Sequence, residues 1–271
     1  MNTSQLKKLV KTLVAEISLK DISGAVSCIG STHTLKTCNI GNGKFFMKFG
    51  DDNLFDNLND ANLQVGVEYL AYAIYKLYPG VSTPSDIHVV SDDVKRRIGL
   101  ATSAVEGETG SYVPVKSLAK LLTAGVFVDV FLANWDIGNT ANVIVSPDHE
   151  DAVRIDPGGA LTFRAQGSRK GDKFNTKAGE LRSMFDPSTG AGRIFRYADA
   201  QKAAETFMKA SWPSIDSRIT EAAKAVAVEV QAAGLPQEPW DDEVSTIRSI
   251  LQVRHKVVSA HCEFVLGSTE G

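Results

Sequence analysis

Residues 116–133, KSLAKLLTAGVFVDVFLA, are apolar on nearly every side when wound at about 3.6 residues per turn. A helix at a protein surface keeps a polar face, and this run has almost none. The spacing therefore predicts a helix enclosed by other elements, which obliges the chain to build a core around it. With 271 residues, of which 43% are hydrophobic and 23% charged, the chain is long enough for such a core in one or two lobes. It also has the apolar surface to offset the entropy of ordering, so an ordered chain is expected.

The elements before that helix are of another kind. Residues 4–19 carry Leu6, Leu9, Val10, Leu13, Val14 and Ile17 at helical spacing. Short β-branched runs follow, and they predict strands at 25–29, 34–39 and 44–49, with Asn42-Gly43 as a hairpin turn. Residues 62–78 predict a helix with Val65, Tyr69, Leu70, Ala73 and Leu77 on one face and Gly80 beyond its end. Strands are expected again at 86–90 and 97–105. The order βββ–α–ββ points to an antiparallel sheet with one helix packed on it.

The polar stretch Glu106–Gly110 marks a boundary, which divides the chain into an N-terminal helix over 1–20, a sheet lobe over 21–107 and a helical lobe over 108–271. In the last of these, ANVIV and AVRID predict strands joined at Pro147-Asp148, and helices are expected at about 177–184, 197–210, 213–233 and 241–263. Pro213 suits a first helical turn and Gly234 a C-terminal cap.

Composition narrows the function. There are 29 basic and 32 acidic residues, a net charge of -3, which is not the balance of a chain built to neutralise nucleic acid. The three cysteines form no CxxC pair and the five histidines show no ligand spacing, so neither a disulfide framework nor a zinc site is expected. The N-terminus lacks the continuous apolar stretch of a signal peptide, and no run of about 18 apolar residues occurs. These features lead to the expectation of a soluble, intracellular, cytoplasmic protein.

The chemistry concentrates in Asn134-Trp135-Asp136-Ile137-Gly138-Asn139-Thr140-Ala141-Asn142 and in Arg154-Ile155-Asp156-Pro157-Gly158-Gly159. A helix, a loop with Asp and Asn, two strands and a terminal Asp before two glycines bring Asp136, Asn142 and Asp156 to neighbouring strand and loop ends. Phosphoryl transfer uses such a set: one carboxylate orients the attacking group, and an amide and a second carboxylate hold magnesium. In the first half, Lys48 falls on the third predicted strand and Glu68 on the helix, the pairing by which kinases hold the α- and β-phosphates. Arg164, Gln166, Arg169 and Lys170 form a basic stretch beyond the glycines, either as a solvated loop or as a contact for substrate or phosphate.

From about Gly30 to Phe185, the segments GSTHTLKTCNIGNGKFFMKFG, VEYLAYAIYKLYPGVSTP, IGLATSAVEG, ANWDIGNTANVIV and RIDPGGALTFRAQGSRK resemble, in order, the actin-fragmin-kinase-like branch of the protein-kinase-like superfamily. That superfamily also contains phosphatidylinositol kinases and HipA-like kinases. The resemblance implies an α+β, bilobal protein-kinase-like fold, with an antiparallel sheet and one main helix in the N-lobe and a mostly helical C-lobe.

It implies ATP and Mg2+ as ligands and transfer of the γ-phosphoryl group to a hydroxyl on a protein. Asp136 would be the catalytic base. Lys48 would contact the phosphates with Glu68 as its partner. Gly30, Ser31 and Thr32 would lie over the phosphates, Ser103 and Val105 would stand in the linker facing the adenine, and Asn142 and Asp156 would hold the metal. Thr32, His33, Thr34 and Leu35 stand where the family carries a Gly-rich turn. Six residues separate Asp136 from Asn142, so Asn139 competes with Asn142 as a ligand. A catalytically weak scaffold and AMP transfer are the alternative functions on this fold; a lipid acceptor ranks lower for want of a polybasic run.

Overall fold

A computed structural model describes residues 28–30, 34–40, 43–49, 58–164 and 167–268. The helix expected at 4–19, together with Asn42, Ser31, Thr32 and His33, lies outside the described residues.

Five strands, β1 (Cys28–Gly30), β2 (Thr34–Ile40), β3 (Gly43–Phe49), β4 (Ile87–Asp92) and β5 (Arg97–Ser103), form one antiparallel sheet in the order β1-β2-β3-β5-β4. β3 alternates as a half-buried strand should, with Phe45, Met47 and Phe49 buried and Lys48 between them. Its register sets Lys48 opposite Leu100 in the middle of the sheet.

Helix α1 (Leu58–Tyr75) packs on that sheet. The apolar face expected from periodicity is only part of what α1 buries: Val65 and Leu70 are buried, and Tyr69, Ala73 and Leu77 pack against the core from its edge. Val67, Ala71, Ile74 and Tyr75 are buried as well. The reason is that α1 is enclosed between β4–β5 and a later helix, so it is buried on more sides than one stripe can record. Tight turns follow Tyr75, and Gly80 takes φ +78° after them.

The enclosed run begins as expected but is two helices, α2 (Val115–Leu122) and α3 (Val126–Phe131), separated by a 3-10 turn at Thr123–Gly125. Arg154 causes the break. Its Nη2 donates to the Leu122 carbonyl at 3.0 Å, so Val126 N–H bonds Thr123 O in place of its ordinary partner four residues back. A Cβ on Gly125 would lie 2.2 Å from that guanidinium, so glycine leaves the room Arg154 needs.

A second antiparallel sheet has the order β6 (Glu108–Thr109), β7 (Val143–Val145), β8 (Ala152–Arg154). β6 is drawn from the polar stretch read above as a boundary. Gly107 allows it, because at φ +142° a Cβ there would stand 2.0 Å from the Val145 carbonyl oxygen. Both β7 and β8 are shorter than expected: Thr140–Asn142 is a 3-10 turn, and Asp156 leaves the strand at φ +51°.

The remaining helices are α4 (Glu180–Ser183), α5 (Gly190–Phe195), α6 (Ala200–Phe207), α7 (Trp212–Ala232) and α8 (Glu238–Gly267). α5 was not anticipated, since its glycines disguise it. Thr189 caps it, and Gly192 passes so close to the Asp186 carbonyl that no side chain fits. Pro213 stands in the first turn of α7, and Gly234 follows its C-cap at φ +66°. Helices and two small antiparallel sheets share one buried cluster that takes in the apolar residues of 126–133. Among the described residues, no helix is long and apolar enough to cross a membrane.

Candidate active site

Lys48 reaches from the middle of the sheet to α1 and to the Asp156 loop. Its Nζ pairs with Glu68 Oε2 and lies 2.7 Å from Asp156 Oδ1. The side chains of Lys48 and Glu68 are 13% and 2% exposed, and that of Asp156 is 49% exposed. Burial alone would lower the Lys48 ammonium, but the charges of Asp156 and Glu68 outweigh it and hold the group above its ordinary value. Burial pushes the Glu68 carboxyl up, and Lys48 opposes that shift.

Asp136 stands in the 3-10 turn Trp135–Gly138, whose N-cap Asn134 accepts from Asp136 N–H at 3.2 Å. A Cβ on Gly159 would fall 2.2 Å from Asp136 Oδ2, so the backbone of the Asp156–Gly159 loop lies directly against the carboxylate. Burial, helped by the Asp156 charge, pushes Asp136 up to about 6; Lys170, Lys48 and a Gly159 N–H pull it down. Asp136 therefore titrates where a general base is useful.

Asn142 donates from Nδ2 to the Asp136 carbonyl at 3.4 Å. Asn139 is exposed and spends its Oδ1 capping the next turn, where it accepts from Ala141 N–H. Between the two, Asn142 is the one drawn in beside Asp136. Gly30 ends β1 opposite Thr34, and Ser31 and Thr32 lie outside the described residues. Ser103 Oγ is 3.0 Å from Ser85 Oγ and accepts from Asp86 N–H; its own N–H bonds the Asp86 carbonyl. Ala104 N–H bonds the Lys44 carbonyl. Two amides of the expected adenine-facing linker are thus already committed, and half-buried Val105 follows them in irregular backbone.

Sequence reasoning missed a polar stripe on α1. Gln64, Glu68, Tyr72 and Tyr75 follow one another at helical spacing, so they share a face. Gln64 Nε2 donates to the carbonyls of Gly158 and Arg164, both at 3.1 Å. Tyr72 Oη accepts from Asp156 N–H at 2.8 Å. Tyr75 Oη donates to Asp129 Oδ1 at 2.6 Å and accepts from Asn134 Nδ2 at 2.9 Å. One rigid rod thereby holds both loops. The signal was present as amide, acid and phenol groups recurring along an otherwise apolar helix.

The basic stretch is not a solvated loop throughout. Arg169 pairs with Asp60 and Glu243 at 2.8 and 2.7 Å. Lys170 is 3% exposed. Arg164 remains exposed, with its guanidinium 5.8 Å from the Trp135 ring centre. Beneath Trp135, Glu180 accepts from the indole N–H at 2.9 Å and pairs with buried Arg254 at 2.8 Å, which also caps the Phe131 carbonyl.

Asp156 holds its left-handed φ without being glycine, a conformation that persists only where the surroundings impose it. Tyr72→Phe removes the acceptor of its N–H. We expect a loss of about 0.5–1.5 kcal/mol, the net worth of a hydrogen bond whose donor water can still reach, read as a lower midpoint in urea. An unchanged midpoint would show that the phenol does not anchor Asp156.

No family model matches the chain, and no curated protein matches it.

Proposed function

We propose that this chain is an ATP- and Mg-dependent phosphotransferase of kinase-like, bilobal design, which transfers the γ-phosphoryl group of ATP to a hydroxyl of a protein acceptor. The observation that supports this reading is the placing of one largely covered lysine between a helix glutamate and an aspartate, with a second aspartate pressed against the same glycine loop.

In this reading Glu68 anchors Lys48, whose ammonium faces the phosphate oxygens and stabilises their charge. Asp136 orients the acceptor hydroxyl and takes its proton on the carboxylate. α1 keeps both groups in register through Gln64, Tyr72 and Tyr75.

The residues suit magnesium. Asp156 is half-exposed, and its charge helps raise Asp136, a repulsion that a dication beside Asp156 relieves. Among the described residues, no three His, Cys, Asp or Glu converge into a protein-only metal cage. Magnesium suits that sparse set, since it is held by one or two carboxylates together with the phosphates of its substrate. Asp156 and Asn142 would hold it, and it supplies neutralisation of phosphate charge when bound.

The test is the melting temperature of the wild type and of Asp156→Ala with and without Mg-ATP. At about 100-fold over the dissociation constant, binding adds about 2.7 kcal/mol, which a melt resolves. The expected result is a rise in the wild type that the variant loses. A folded wild type with no rise overturns the reading. Label retained from γ- rather than α-labelled ATP then separates phosphoryl from AMP transfer.

A further inference from the structure

Lys170 takes no part in the steps above, although its buried ammonium lies between the two loops that carry them. Its Nζ donates to the Ala133 carbonyl and, at 2.6 Å, to the Gly159 carbonyl, and it lies 4.8 Å from the Trp135 ring centre. These contacts belong to two separate segments: the approach to the Asp136 turn and the loop that follows Asp156.

We propose that Lys170 is a positioning residue that clamps the Trp135–Gly138 turn to the Asp156–Gly159 loop and so fixes Asp136 relative to Asp156. The role in transfer rests on the phosphotransferase reading; the clamp itself does not.

Three observations carry it. First, both segments hold strained backbone. Ala133, Asp156 and Leu161 have φ values of +51°, +51° and +54°, and one of the two carbonyls that Lys170 binds belongs to Ala133 itself. Such residues stay in place only when the structure around them imposes it. Second, Gly159 touches Asp136 closely enough that a Cβ would collide with the carboxylate, so a carbonyl held at Gly159 is a constraint on Asp136. Third, a buried lysine is costly to keep, and here its donors satisfy two carbonyls of irregular backbone.

Burial draws the ammonium down to about 7, Glu180 and Asp136 support its charge, and Arg254 and Arg164 oppose it. The clamp does not depend on that balance, because a neutral amine retains two N–H groups for the two carbonyls.

The experiment compares the full-length wild type with Lys170→Met, which keeps the apolar stem. Mg-ATP is the probe, with water as acceptor, and hydrogen exchange is followed at 133–139 and 156–161. The expected result is a fall in kcat for hydrolysis of about 100-fold with KM for Mg-ATP within about threefold. Exchange should rise in both segments together. A loss of kcat accompanied by a comparable rise in KM marks a merely structural residue and overturns the proposal. Unchanged exchange in either segment overturns it as well.

If the wild type neither binds nor hydrolyses Mg-ATP, the phosphotransferase reading fails, and the exchange result alone decides the clamp. Should the methionine variant not fold, Lys170→Gln, which retains donors without the charge, is expected to keep kcat within about threefold of the wild type and both segments protected; raised exchange in either segment then overturns the clamp.

Discussion

Asp136→Asn is expected to lower phosphoryl transfer by about 100- to 10,000-fold, the range for loss of a positioned general base, with the fold preserved. The amide occupies the same space against Gly159, so nothing new has to be accommodated there. The pH profile supplies an independent check. Because Asp136 is raised to about 6 in the free enzyme, it is protonated below that pH and cannot accept a proton; kcat/KM for Mg-ATP, which reports the free enzyme, should climb as pH rises through about 6 and then level. Transfer by Asp136→Asn within about threefold of wild type would remove Asp136 from the mechanism. A profile flat between pH 5 and 7 in the wild type would do the same for its role as base.

The largest effect on stability is expected at Asp129. This carboxylate is fully buried, meets Arg154 Nη2 at 2.8 Å and also accepts from Tyr75. Burial would lower the Arg154 guanidinium, and the Asp129 charge more than offsets it. Asp129→Ala leaves that cation enclosed with the Leu122 carbonyl as its remaining hydrogen-bond partner, and leaves the Tyr75 O–H without its acceptor. The expected loss is about 3–5 kcal/mol, measured as the shift of a urea transition. Set against a total stability of about 5–15 kcal/mol, such a loss approaches unfolding. Adding Arg154→Met should recover part of it, because the damage comes from the stranded charge rather than from a missing attraction. A single-variant loss below about 1 kcal/mol would refute the assignment of this pair as a structural keystone.

The sequence carried much of this arrangement. The strands that bear Lys48, the helix that bears Glu68 and the two loops that bear Asp136 and Asp156 follow from local periodicity and turn chemistry, which depend on neighbours a few residues away. What escaped depends on distant ones. The break at Thr123–Gly125 is made by Arg154, a residue that no window around 116–133 contains. Tyr72 and Tyr75 look like ordinary aromatic core, and only their hydroxyl partners, 84 and 54 residues away, reveal another use. Strand β6 is invisible because a glycine chosen for close backbone approach reads the same as one chosen for a linker. Lys170 shows the same limit: a basic residue among basic residues gives no sign of being buried.

The stripe on α1 has a consequence for how the chain comes together during synthesis. Gln64 and Lys48 find their partners 94 to 108 positions downstream, so nothing in the first half can complete the site when it leaves the ribosome. Until Arg154–Gly159 emerges, Lys48 and Glu68 have only each other, and the hydroxyls of Tyr72 and Tyr75 lie in an unfinished apolar surface. Loop closures of that span are slow. The nascent half therefore carries Lys48 and Tyr72 without their Asp156 contacts until Arg154–Gly159 arrives, and Arg164 and Lys170, later still, fasten that loop in place.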